Sequence, residues 1–289
     1  MADKNDQIVF TAANKSVDDA KSTQQRGAWI MNWSLPHNAF WQVGVFRIVV
    51  LIGLLFYLLI TLSMLLYPGG TKADPHTQGY SFFTNFLSDL GQTESLSGQP
   101  NIPSMVLFIT AMILAGIATV LFSLAFTQLF TLSRLTIRLS HVGALCGVIA
   151  GICLIGVGVV PENLSSWLHN FCIYAAMVVF VVAYLFFFLA VVRTKGLPKR
   201  ISWVFIALGI VLVVYTIISV WVTFFGPAPG TPAWVVIQAT GQKIIVYVAV
   251  LALLVESLLL PEVLRTGAYP HEPSRSASRH ATGEPSGGE

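Results

Sequence analysis

Three groups of polar residues, in an otherwise apolar chain, have types and spacings that could do chemistry. The first lies in Tyr80–Leu90, YSFFTNFLSDL, where Asn85 and Asp89 stand four residues apart and share a face of any helix formed there. Ser88 precedes that carboxylate. The second is the turn PENLSSWLHN, which carries Glu162, Asn163, His169 and Asn170. The third is Gln238, Gln242 and Lys243, close together in a long apolar stretch. A charge buried in hydrocarbon is unfavourable by about 2.5–3.5 kcal/mol on insertion scales, so it should face the protein interior and find a partner. Lys243 follows Trp234 by nine residues, which places it roughly 13 Å below the interface at 1.5 Å rise per residue. Asp89 and Glu162 are the natural counter-charges, with Asp89 favoured.

These residues support two different chemistries. A pocket lined by Asn85, Ser88, Asp89, Glu162, His169, Asn170, Gln238, Gln242 and Lys243 could bind a lipid headgroup or a small solute. Alternatively, Ser88, Asp89, Glu162 and His169 are the right types for a nucleophile and its base in a membrane-embedded hydrolase. Ser88 lacks the strand–turn–helix context of a nucleophile elbow. For His169, a neighbouring carboxylate is the preferred partner, because a metal would need further ligands and no HxxxH, HExxH or CxxC spacing occurs. No cofactor and no resident metal are expected.

The elements that must position these groups are membrane spans. The chain has 289 residues, 55% hydrophobic and only 10% charged, against roughly 25% charged in soluble domains. Runs of about 20 apolar residues cross a bilayer core about 30 Å thick. Six are predicted, at Trp41–Tyr67, Ile102–Phe130, Leu139–Val160, Trp167–Val192, Ile201–Phe225 and Ala233–Leu260. The expected fold is an all-α bundle of six transmembrane helices.

Charge sets the orientation. Lys4, Lys15, Lys21 and Arg26 precede span one, Arg134 and Arg138 follow span two, and Arg193, Lys195, Lys199 and Arg200 follow span four. Arg265, Arg275 and Arg279 lie in the tail, whereas the alternate loops carry only Lys72. Basic loops stay cytoplasmic, so both termini are placed there, in a multi-pass protein of the cell membrane. Trp41, Trp167, Trp203, Trp221 and Trp234 near span ends suit an interfacial belt. The formal net charge of +3 is scattered rather than striped, which gives no support for nucleic-acid binding.

Three regions follow: a cytoplasmic segment at 1–40 with an interfacial patch of Trp29, Ile30 and Trp33, the six-helix domain at 41–260, and a disordered tail at 261–289. No cleavable signal is expected, since the first 28 residues are polar. Cys146, Cys153 and Cys172 fall inside spans and read as packing residues. In the first outer loop, Phe82, Phe83, Phe86, Leu87 and Leu90 would line one face of an amphipathic helix resting on the membrane. Gly143, Gly147 and Gly151 in span three answer Ala111, Ala115, Thr119 and Ser123 in span two. Such stripes let backbones approach closely. They fit either a homodimer face or packing between spans two and three, and the second is preferred.

The run NFLSDLG, Asn85 to Gly91, followed by PEN at Pro161–Asn163 and the pair His169–Asn170, resembles a prokaryotic membrane family, the domain of unknown function 998. The resemblance covers roughly residues 47–260. It implies a six-helix integral membrane protein, similar in layout to the DRAM/Sfk membrane proteins, and singles out Ser88, Asp89, His169 and Asn170. It implies no activity. The leading expectation is binding or movement of a lipid or small solute through an outward-facing polar pocket, with membrane lipids as partners. A hydrolase and a non-catalytic scaffold are the alternatives.

Overall fold

The computed structural model of the protein describes residues 40–265. The segments preceding and following, with the expected interfacial patch and the tail beyond residue 265, lie outside them, while residues 261–265 of the expected disordered tail are helical. A π-helical turn, Phe40–Gly44, leads into α1, Val45–Leu66. Then come α2, Ile102–Phe126, α3, Arg134–Val159, α4, Ser166–Arg193, α5, Lys199–Phe225, and α6, Pro232–Arg265. All six are long and apolar enough to cross a membrane, and no strand is present among the described residues. The expected all-α fold with six spanning helices is therefore observed.

The physical reason is backbone accounting. In hydrocarbon every N–H and C=O needs an internal partner, which a helix supplies and an irregular segment does not. The helices also start where the sequence permits. Pro103 sits in the first turn of α2 and Pro232 opens α6, positions where a missing N–H costs nothing. Several boundaries move outward from those predicted, two of them by about five residues. α3 begins at Arg134 and α6 continues past Pro261 to Arg265, because charges beyond the hydrocarbon do not end a helix.

The outside of the bundle is apolar, with Leu65 74% and Val178 63% exposed. The inside holds two cores. One gathers Phe126, Phe122, Phe187 and Phe205, with Ile201 and Leu208 of α5. Here Phe126 meets the Phe187 ring at 4.7 Å, edge to face. The other lies under the long loop 67–101 and includes Phe56, Ile60, Leu87, Leu90, Phe108 and Met112.

α2 and α3 pack through the small-residue stripes. A Cβ built on Gly147 would lie 2.0 Å from Ser123 Oγ, and one on Gly151 would lie 2.7 Å from the Gly116 carbonyl oxygen. Both glycines thus face α2, while Gly143 faces Phe187 of α4. The stripe splits because a straight helix drifts relative to a strict four-residue spacing.

The loop 67–101 corrects one expectation. Tyr80–Leu90 does not form an amphipathic helix. It makes a turn closed by the Asn85 N–H on the Ser81 carbonyl at 2.9 Å, then a five-residue 3-10 helix, Leu87–Gly91. Leu87, Ser88, Asp89, Leu90 and Gly91 are all buried, so no polar face remains. Tertiary contacts override the periodicity: Gly91 lies against the Phe108 ring, where a Cβ would come within 2.5 Å. The Asn101 side chain also donates to the Leu90 and Gln92 carbonyls at 3.0 and 2.9 Å. The segment is a plug in the bundle mouth rather than a float on its surface.

Candidate functional site

The plug brings the loop to Lys243. That residue is fully buried, eleven residues into α6. Its ammonium donates to the Asn85 carbonyl and, at 3.1 Å, to the Ala239 carbonyl one turn back. It also lies 5.5 Å from the Tyr80 ring centroid and 5.3 Å from that of Phe82. Carbonyl oxygens and aromatic faces each stabilise a cation, the latter by about 2 kcal/mol when desolvated. The expected carboxylate partner is absent. Neither Asp89 nor Glu162 comes within 4.0 Å of Lys243, and the reason is that both are engaged elsewhere.

Asp89 folds back on its own turn. Its Oδ2 accepts from the Asn85 side-chain amide at 3.1 Å and from the Phe86 N–H at 2.8 Å. Its Oδ1 is buried with no partner. Burial pushes the carboxyl up to about 6, against opposing effects from the Asn85 hydrogen bond, the Lys72 charge and the Phe86 N–H, and with a small assist from Glu162. Nearby phenols move the same way. Burial holds Tyr67 up at about 12 and raises Tyr80 further, with the Asp89 charge adding to both.

Asn85 is the hub. Its amide also donates to the Gly70 carbonyl at 2.7 Å, and its Oδ1 accepts from the Ser81 N–H at 2.9 Å. Gly70 can present that carbonyl because its φ of +86° suits only glycine, and a Cβ there would meet the Ser97 nitrogen at 2.2 Å. Gln242 completes the cluster by accepting the Leu87 N–H at 2.9 Å.

The remaining expected site residues lie apart from this cluster. Glu162 pairs with Lys72 at 3.1 Å and accepts from Gln92 at 3.4 Å. Asn163 exchanges hydrogen bonds with Thr93, at 3.2 Å from its N–H and 2.7 Å to its hydroxyl, so the α3–α4 turn is tied to the loop. His169 is buried, and its Nδ1 meets the Val160 carbonyl at 2.6 Å, while Nε2 has no partner. The expected carboxylate on His169 is replaced by main chain, because the turn folds its own carbonyl over the ring. Asn170 bonds only Ser166, at 3.1 Å, and Gln238 is half-buried on α6. Ser88 is buried and no hydrogen bond joins it to His169 or Asp89, so a Ser–His pair is not assembled.

Residues 50–256 match the family model described as protein of unknown function (DUF998). The chain belongs to this family. No curated protein and no solved structure matches it. Family membership and six spanning helices make this DUF998 protein an integral membrane protein of the multi-pass kind.

Sequence reasoning about the DUF998 chain missed three contributors, Tyr80, Phe82 and Lys72. Periodicity places Phe82 on a helix face and gives Tyr80 no role, yet both rings cover Lys243. Lys72 was noted only as a lone basic residue, though its charge is what a loop carboxylate needs. Glu256 of α6, readable in the sequence as a carboxylate near the inner end of span six, is fully buried and bonded by the Tyr184 hydroxyl at 3.0 Å.

Proposed function

We propose that the protein binds a lipid headgroup or small solute bearing negative charge, from the outer side of the cell membrane, with Lys243 as the recognising cation. The loop 67–101 covers the site, and Asn85 and Asp89 hold the cover closed. The observation that supports this reading is the state of Lys243: a fully buried ammonium in a membrane helix whose hydrogen-bond acceptors are neutral carbonyl oxygens. An anionic oxygen adds to an ammonium a Coulomb attraction that a neutral carbonyl lacks, and that attraction is strong in a low-dielectric interior. An incoming phosphate or carboxylate would therefore displace the Asn85 carbonyl and release the plug. The hydrolase reading has less support, since Ser88 and His169 share no hydrogen bond.

The test uses the full chain reconstituted in phosphatidylcholine vesicles with and without phosphatidylglycerol, then extracted in neutral detergent and weighed by native mass spectrometry. The wild type should retain phosphatidylglycerol about tenfold better than Lys243→Gln, a difference of about 1.4 kcal/mol. Inorganic phosphate that competes would assign recognition to a free anion, and phosphate that does not would assign it to the lipid. Equal retention by the two proteins would remove the proposal.

A further inference from the structure

α6 carries a second buried ionisable residue, Glu256, thirteen residues beyond Lys243 and so about 20 Å along the helix at 1.5 Å per residue. It is fully buried in a helix long and apolar enough to span a membrane. Its Oε1 accepts from the Tyr184 hydroxyl of α4 at 3.0 Å, and its Oε2 is buried without a partner. Among the described residues, no basic nitrogen lies within 4.0 Å of it. Arg47 of α1, Arg193 of α4 and Lys199 of α5 are exposed, Arg200 is paired with Glu262 at 2.8 Å, and Tyr184 is the titratable group that acts on it. A bare carboxylate in such surroundings is among the costliest groups a membrane protein can carry, and intramembrane acids mark ion and proton pathways.

We propose that Glu256 is a proton-binding site, separate from the Lys243 cluster, with Tyr184 as its positioning residue. On uptake the carboxylate forms one O–H bond at Oε2, and on release that bond breaks and the proton passes to water. No electrons move. A proton rather than a metal ion fits the surroundings. A hard cation takes about six or more oxygen ligands. Among the described residues Glu256 has the Tyr184 hydroxyl as its one hydrogen-bond partner, and that ring is stacked on Phe180 and lies 4.4 Å from the Phe205 centroid. Tyr184 lines a cavity of about 20 Å³ together with Thr119, Ser123 and Leu253, and Leu253 lies one turn from Glu256.

The test is labelling of the full chain in membranes with dicyclohexylcarbodiimide, which reacts with protonated carboxyls in apolar surroundings, followed by mass mapping of the α6 peptide. Label should appear on Glu256 at acidic pH and fall about tenfold per pH unit above its midpoint. It should be unaffected by sodium at constant ionic strength and missing from Glu256→Gln. In Tyr184→Phe the label should persist to more alkaline pH, because the carboxylate loses the hydroxyl that bonds it. Wild-type protein that takes no label on Glu256 at acidic pH, or labels independently of pH, would overturn the proposal. Protection by sodium would overturn it too, in favour of a metal-ion site. These readouts need no folded variant to be decisive.

Discussion

The ammonium of Lys243 is held by the Asn85 carbonyl, and the side chain of the same Asn85 holds the Asp89 carboxylate at 3.1 Å. One neutral residue thus stands between a buried cation and a buried acid. The arrangement keeps both groups available to titrate or to meet a ligand, which a direct ion pair would not do. A direct pair would also have fixed the loop, since breaking one costs about 3–5 kcal/mol.

Asn85→Ala should be the most damaging loop substitution. It leaves the Gly70 carbonyl, the Ser81 N–H and Asp89 Oδ2 each short of a partner. At about 1 kcal/mol per lost bond, the cost is about 2–3 kcal/mol. Thermal unfolding in detergent measures it, and a midpoint no lower than that of Ser88→Ala would show that the hub carries no such weight.

Asp89 should make stability fall with rising pH. Its carboxyl is raised to about 6, so its favourable contribution is complete below its ordinary value near 4 and is lost as pH climbs through about 6. About two pH units of difference corresponds to ~3 kcal/mol at most. Asp89→Asn keeps an oxygen for Asn85 and Phe86 and removes the charge, so its midpoint should stay flat over that window and exceed the wild type's above it. Parallel pH profiles for the two proteins would contradict the assignment.

Gly147→Leu should unfold the bundle far more readily than Val148→Leu. At position 147 even a Cβ meets Ser123 Oγ at 2.0 Å, whereas Val148 is half-buried. Overpacking of this kind costs about 1–3 kcal/mol. Ser123→Gly should restore part of the loss for Gly147→Ala. No restoration would mean that the α2–α3 contact does not set the cost.

Orientation can be read by labelling. In a chain lacking Cys146, Cys153 and Cys172, cysteines replacing the exposed Gln78 and Gln99 should react with an impermeant maleimide outside intact cells. A cysteine replacing Lys195, also exposed, should react only after permeabilisation. The reverse pattern would invert the topology proposed from the loop charges.

The six helices were readable from the sequence because lipid imposes a local rule. A long apolar run must satisfy its own backbone, and helix is the single-segment way to do so. Gly147 and Gly151 were readable for a similar reason, since small side chains leave few other uses for a helix stripe. The deep charge of Lys243 was equally plain. Its partner was not. Whether Asp89 points at Lys243 or back at Phe86 depends on how residues 67–101 plug the bundle, and that is set by Gly91 against Phe108, Asn101 under Leu90 and Gly70 against Ser97. These contacts join residues ten or more positions apart, so no periodicity announces them. Periodicity alone made Tyr80–Leu90 an amphipathic helix, whereas tertiary contacts bury Leu87–Gly91 as a 3-10 helix and leave Phe82 and Phe83 exposed. Tyr184 and Glu256 illustrate the same limit, because their hydrogen bond spans seventy-two positions and exists only once α4 and α6 line the same core. Local chemistry chose the helices and marked the costly residues. Tertiary packing chose their partners, since those lie on other segments of the chain.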